Sequence, residues 1–253
     1  MYSSGVFPVH IQKVKQSRTA RGLAKPAQVR QSAAMDKALT GQIALITGAS
    51  RGIGAASAEY LAAQGAHVVA VARTQGALEE LDDRIQALGG QATLAPMDIT
   101  NEAAMAHLCR SIYDRWGHAD IWVHSAYHAV SLSPADQISA KDLDKVIAIN
   151  IRAFARMTAL VAPLIAPAPA PRAVFFDSDW DLKFAGAHGM AKAAQRALIE
   201  SWQAESVKTG PAVHLLRPNP MPTALRARFY PGEDRTKLAD PRVEAARLLS
   251  TIL

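Results

Sequence analysis

The stretch Ile43-Ala44-Leu45-Ile46-Thr47-Gly48-Ala49-Ser50-Arg51-Gly52-Ile53-Gly54 limits the folds open to this chain more than any other. Ile43 to Ile46 is a continuous apolar run bounded by turn formers, the pattern of a strand covered on both faces. Three glycines follow in the spacing Gly48-x-x-x-Gly52-x-Gly54, and an alanine-rich segment from about Ile53 to Gln64 reads as a helix. Strand, glycine turn and helix in that order form a cradle for a pyrophosphate. Glycines admit phosphates close to the backbone, and the helix N-terminus offers free N–H groups and the positive end of its dipole. Ser50 and Arg51 add a hydroxyl and a guanidinium beside the turn. A bare strand-to-helix turn would share the glycines, but the flanking strand and helix favour the ligand-binding reading.

Apolar runs of the same kind recur. His67–Ala72, Ala92–Met97, Ile121–Val123, Ala173–Phe176 and Val213–Leu216 read as five further short strands. Between them, Leu78, Leu81, Ile85 and Leu88 mark one face of a helix ended by Gly89-Gly90, and Met105, Leu108, Ile112 and Trp116 stripe another. A long helix is predicted from about Ala140 to Val161, a second over Met190 to Val207, and a final one at Pro241–Leu253. The Ala-Pro alternation over Ala166–Pro171 reads as a surface loop. Strands alternating with helices imply an α/β fold, a doubly wound parallel sheet in a single domain, whose ligands sit beyond the carboxyl ends of the strands.

A chain of 253 residues can hold one such domain with a sizeable core, and its 49% apolar and 20% charged content excludes a disordered or fibrous protein. No uninterrupted apolar run approaches the roughly 18 residues of a membrane helix, so no membrane partner is expected. The one cysteine, Cys109, sits on a helical face near Leu108 and Ile112. It reads as a buried apolar residue and fits a reducing, cytoplasmic compartment.

The net charge of +6 is confined to one end. Six of the 28 basic residues (Lys13, Lys15, Arg18, Arg21, Lys25 and Arg30) lie in residues 1–34 with no acid, and the remaining 22 balance the 22 acids. The domain itself therefore lacks the basic character of a nucleic-acid binder. Residues 1–38 form a basic arm without sustained periodicity, and the folded domain is expected over 39–253. The arm has three readings: a transit peptide, a tether for anionic partners, or a segment not normally made. The last is preferred, because Met35 stands just ahead of Leu39-Thr40-Gly41.

Thr47-Gly48-Ala49-Ser50-Arg51-Gly52-Ile53-Gly54 resembles the fingerprint of the short-chain dehydrogenases/reductases, and the resemblance runs from about residue 39 to the C-terminus. It implies a Rossmann fold, a nicotinamide dinucleotide cofactor, a carbonyl/alcohol substrate pair, and a homodimer or homotetramer. The cofactor-binding set it implies is Gly48, Ser50, Arg51, Gly52, Ile53, Gly54, Arg73, Asp98 and Lys192; no metal ligands are expected. Arg73 follows the second strand, where a member choosing NAD carries an acid. An arginine there pairs instead with the 2′-phosphate, helped by Arg51, so NADP(H) is expected over NAD(H). Asp98 matches the residue that contacts the adenine, and it is also placed to cap the helix starting near Asn101.

The chemical half departs from the family. Its Tyr-x-x-x-Lys, with tyrosine and lysine on one helix face, reads here His188-Gly189-Met190-Ala191-Lys192. The resemblance gives Lys192 a ribose-holding and electrostatic role, Ser178 orientation of the substrate oxygen, and Asn150 the positioning of water or helix. Imidazole ends short of where a phenol oxygen would lie, and a misplacement of about 1 Å costs on the order of 10²-fold. A nearby Lys192 ammonium also favours the neutral imidazole.

The connection from Ser178 to His188 is about three residues shorter than usual; Asp177, Asp179 and Asp181 lie at or within it. Ser125-Ala126-Tyr127 replaces Asn-Ala-Gly, setting a side chain beside the expected nicotinamide, and Pro218-Asn219 replaces Pro-Gly. Two functional readings follow. One is an NADP(H)-dependent oxidoreductase with Asn150, Ser178, His188 and Lys192 as its centre and His188 as a makeshift acid/base. The other is a non-catalytic cofactor sensor or scaffold. For assembly, the family pairs the long helices after the fourth and fifth strands. That nominates Phe154, Met157, Leu160, Leu198 and Trp202, whose alternative role is packing on their own sheet.

Overall fold

Six short, mostly apolar segments become six parallel strands; helices bury both faces of the central four, while the two edge strands stay partly exposed. The computed structural model describes residues 37–178 and 183–253; residues 1–36 of the arm, Met35 among them, and Asp179 and Asp181 lie outside the described residues. The strands are β1 (Ile43–Thr47), β2 (His67–Ala72), β3 (Gln91–Pro96), β4 (Ile121–His124), β5 (Arg172–Phe176) and β6 (Ala212–Leu216). They order as β3-β2-β1-β4-β5-β6, all parallel, so strand order reverses between β1 and β4. A crevice opens at that switch point, beyond the carboxyl ends of the strands.

Side-chain alternation divides the core. Leu45, Val69, Trp122 and Phe175 point to one face, while Ala44, Ile46, Val68, Ala70 and Val174 point to the other. The second face is closed by α1 (Gly52–Ala63), α2 (Gln75–Ala87) and residues near the C-terminus, with Leu61, Leu78, Leu81, Ile85 and Leu249 fully buried. Leu88 does not continue the α2 stripe: it is the C-cap residue and is exposed. The first face is covered by α3 (Glu102–Trp116) and by the helical stretch 140–165.

That stretch is longer and less regular than the expected 140–161. It runs as α4 (Ala140–Val146), a π-helical segment Ile147–Ala153, and α5 (Phe154–Ile165). By length and composition it is also apolar enough to cross a membrane, which differs from the expectation from uninterrupted apolar runs because a few polar residues break the run without lowering its mean hydropathy. Its largest apolar side chains, however, face the sheet: Phe154, Met157, Val161 and Ile165 are buried in the first-face core. Phe154 and Met157 are thus taken up by their own chain, which corrects their nomination as assembly contacts. Leu160, Leu198 and Trp202 also pack against that core but stay partly exposed.

The remaining helices are α6 (Gly186–Glu205), α7 (Ala224–Phe229) and α8 (Pro241–Leu249). α6 ends before Val207, which is exposed, and Ala168 in the Ala-Pro loop is buried rather than at the surface. α7 falls in a region the sequence left irregular; Thr223 caps it by accepting from Arg226 N.

Candidate active site

The glycine turn owes its shape first to packing. Gly48 has φ +88°, and a methyl built on it collides with the backbone of Ser125 and Ala126. A methyl on Gly54 strikes the Ser125 hydroxyl and the Gly48 carbonyl. Those two glycines let the turn nest against the loop after β4, where Ser125 Oγ donates to Thr47 O at 3.0 Å. Gly52, at φ +57°, has only Thr223 near it and is the one that leaves room for a ligand. Gly48 and Gly54 therefore serve packing beside the phosphate approach expected of the turn, and all three glycines line the cavity described next. α1 itself is left open to an anion. Arg51 at its N-cap makes no side-chain cap and its first turn holds no acid, so its leading N–H groups await an acceptor.

A cavity of about 810 Å³ extends from this turn along the carboxyl ends of the strands. Gly48, Ser50, Arg51, Gly52, Ile53, Gly54, Arg73 and Asp98 line one part, and Ser178, His188 and Lys192 another. Arg73 lies 4.0 Å from Asp98 with its side chain exposed. The Asp98 carboxylate accepts from Thr100 N and Oγ1, at 2.9 and 2.8 Å. It does not cap α3: Asn101 does, accepting from Ala104 N at 3.0 Å.

Asn150 is the expected site residue that does not reach the cavity. It is fully buried, and its side chain binds backbone: Oδ1 accepts from His128 N and Nδ2 donates to His128 O, both at 2.8 Å. Its own carbonyl, within the π-helical segment, accepts from Gln195 Nε2 of α6 at 2.9 Å. Asn150 thus fixes the loop that carries Tyr127.

His188 and Lys192 sit one turn apart near the start of α6. The His188 Nε2 is 3.3 Å from Ser178 Oγ, and its Nδ1 is 2.7 Å from the Tyr127 hydroxyl. The Phe229 ring of α7 packs on the imidazole at 4.8 Å between centroids. Lys192 Nζ donates to Phe176 O at 2.9 Å and stands 4.8 Å from the centroid of the Tyr127 ring. Burial, then the Lys192 charge, push the His188 pKa down to about 4, against a smaller opposing pull from Asp177. Burial lowers Lys192 to about 8, again opposed by Asp177, and burial raises the Tyr127 phenol. Asp177 itself is buried and ion-paired with Arg196 and Arg217.

Three features of the site were missed. The first is the contact of Tyr127, whose phenol lies 2.7 Å from His188 Nδ1. His124 ends β4 fully within the core, its Nδ1 2.8 Å from Thr47 Oγ1, while Nε2 finds no partner among the described residues. Burial, then Lys192, lower its pKa to about 3. A histidine closing an otherwise apolar strand was the available signal. The third is α7, whose Phe229 covers His188; Thr223, its N-cap, was the available signal. Among the described residues no cluster of His, Cys, Asp or Glu is placed to hold a metal.

Residues 42–234 match the family model described as short chain dehydrogenase. The chain is 36% identical over 124 residues to a fatty acyl-CoA reductase of Acinetobacter baylyi, covering 49% of this chain and 42% of that protein. It is 34% identical over 121 residues to an NADP-dependent 3-hydroxy acid dehydrogenase of Shigella flexneri, covering 48% of each. Those matches span less than half the length of either relative. A metagenomic short-chain oxidoreductase solved in complex with NADP superposes with a TM-score of 0.72 at 26% identity, over 84% of this chain and 90% of that one.

Proposed function

This chain belongs to the short chain dehydrogenase family, and we propose that it interconverts a carbonyl and an alcohol using NADP(H) in preference to NAD(H). One observation carries the reading: the open N-terminus of α1, the two arginines and the Ser178–His188–Lys192 group all face one cavity. The N–H groups of α1 would hold the pyrophosphate, Arg51 and Arg73 the 2′-phosphate, Asp98 the adenine, and Lys192 the nicotinamide ribose. The NADP complex of the metagenomic neighbour and the printed cofactor of the Shigella relative support that choice. When bound, the reduced cofactor supplies a hydride.

The chain's own residues then handle the substrate oxygen. Ser178, half-buried at the cavity wall, is the hydroxyl placed to orient it. The Lys192 ammonium stabilises negative charge developing nearby. His188 is not an imidazolium acid near neutrality, because its pKa lies near 4.

That same fact favours a second reading, a cofactor-binding protein without turnover, since a largely buried, neutral imidazole under Phe229 stands where the family's proton donor is expected. Calorimetry with NADPH and NADH, followed by NADPH oxidation over a panel of aldehydes, ketones and 3-oxoacyl thioesters, tests both. Tight NADPH binding with turnover is expected. Binding without turnover leaves the second reading, and no binding removes both.

A further inference from the structure

We propose that Tyr127 supplies the reaction's proton, passing it through His188 to Ser178 and so to the substrate oxygen; this rests on the carbonyl-reducing reading above. The geometry is a continuous chain: Tyr127 hydroxyl to His188 Nδ1 at 2.7 Å, then His188 Nε2 to Ser178 Oγ at 3.3 Å. The phenol has one other acceptor nearby, the His188 carbonyl, at 3.5 Å. The short contact admits a proton on either atom; the relay requires the tautomer in which the phenol donates to Nδ1 and the imidazole proton sits on Nε2, and the spectra described below read that tautomer directly. Nε2–H then donates to Ser178 Oγ, which leaves the serine hydrogen free to point into the cavity.

The arrangement explains how an imidazole can stand at this place. It spans the gap between a tyrosine on the loop after β4 and a serine after β5. Exposure agrees: His188 is buried, whereas Ser178 is partly open to the cavity. Burial holds the phenol protonated at rest, and burial with Lys192 holds the imidazole neutral, so the donor is loaded and the bridge can accept at Nδ1 while donating at Nε2.

The step balances. As hydride from the reduced nicotinamide arrives at the carbonyl carbon, the π electron pair moves to oxygen. That oxygen takes the Ser178 proton, Ser178 Oγ takes the proton of His188 Nε2, and His188 Nδ1 takes the proton of Tyr127. The alcohol O–H has formed, the imidazole has exchanged tautomers and stays neutral, and Tyr127 is left as a phenolate facing the Lys192 ammonium. One proton from solvent restores it between turnovers. Ser178 is the catalytic residue of this relay; Tyr127 and His188 act through it.

The test uses the full chain. With ¹⁵N-labelled histidine and no cofactor, long-range ¹H–¹⁵N spectra are expected to show His188 as the Nε2–H tautomer, and Tyr127→Phe is expected to shift it toward Nδ1–H. The same variant should lower kcat for NADPH-dependent reduction of the carbonyl panel by on the order of 10²–10⁴-fold, with NADPH affinity by fluorescence titration unchanged. An Nδ1–H tautomer in a parent that turns over, or an unchanged kcat in Tyr127→Phe, overturns the relay alone. A parent that binds NADPH and shows the Nε2–H tautomer but reduces nothing overturns the carbonyl-reducing reading, and the relay's last step with it.

Discussion

Asn150 grips both backbone polar groups of His128, one residue beyond Tyr127, with two hydrogen bonds of 2.8 Å. Asn150→Ala would leave that N–H and C=O unpaired beside a buried site, at a cost of about 1–3 kcal/mol. A lower urea midpoint with an unchanged slope is expected. Because the loop then holds Tyr127 less firmly, turnover should fall further than cofactor affinity. An Asn150→Ala variant with parental stability and parental kcat would show that the clamp is idle.

Arg73 and Arg51 flank the region expected to hold the ribose 2′-position, and the Arg73 side chain is largely exposed. Charge-assisted bonds of the kind a 2′-phosphate would make contribute about 1.5–3 kcal/mol. Arg73→Ala is therefore expected to weaken NADPH roughly 10-fold or more while leaving NADH nearly unchanged. Calorimetry that finds equal affinity for the two cofactors in the parent refutes the preference.

Much of this was legible in the chain itself, and the reason is physical. Each strand of a sheet covered on both faces must be apolar throughout, so Ile43–Thr47 and His67–Ala72 stand out as runs. The glycine turn was equally plain, because Gly48 at φ +88° and Gly54 against Ser125 tolerate no side chain. What sequence could not supply was contact between distant segments. Tyr127 and His188 are 61 residues apart, and nothing in either neighbourhood says that the two rings meet. The π-helical segment around Asn150 was hidden for a similar reason: its freed carbonyl is satisfied by Gln195, 45 residues away on α6. Phe154 and Met157 look alike for a helix that packs on its own sheet and for one that packs on a partner.

Acid is expected to destabilise the protein as pH falls from about 6.5 to about 3. His188 binds its proton more weakly in the folded state, at about 4, as does His124, at about 3. The unfolded chain therefore takes up these protons first as pH falls. The stability is complete above the unfolded value near 6.5 and is lost as pH drops through the folded values, His188 accounting for on the order of 3 kcal/mol. Urea midpoints measured at pH 7, 5.5 and 4.5 should decline, and His188→Asn should flatten the decline. A flat profile in the parent would mean that the imidazoles titrate normally.

A homodimer or homotetramer is expected, through the outer faces of α5 and α6. With Phe154 and Met157 committed to the core, the contact falls to Ala155, Ala159, Ala193 and Ala197, which are exposed. Small residues of this kind permit close approach of helices. Light scattering at micromolar concentration checks the assembly, and Ala159→Glu with Ala197→Glu should yield monomer. A parent that is already monomeric refutes it.

His188→Tyr would restore the lysine-paired tyrosine expected at that position, but it is expected to fail alone. The new ring must enter space where Tyr127 already places its hydroxyl 2.7 Å from the imidazole and where Phe229 packs 4.8 Å away. Overpacking of this sort costs typically about 1–3 kcal/mol and displaces neighbouring side chains. The single variant should therefore melt lower and reduce carbonyls no faster than the parent. Tyr127→Gly alone should also be slow, because it removes the proton source and leaves an imidazole that is not an acid near neutrality. Combined, the two changes clear the space and put a phenol on α6 beside Lys192 and Ser178. The double variant should then exceed both singles in kcat/KM, a non-additivity expected of groups that act as a unit. If His188→Tyr alone gives the full gain, Tyr127 neither crowds the site nor serves it, and the tyrosine–histidine contact is only packing.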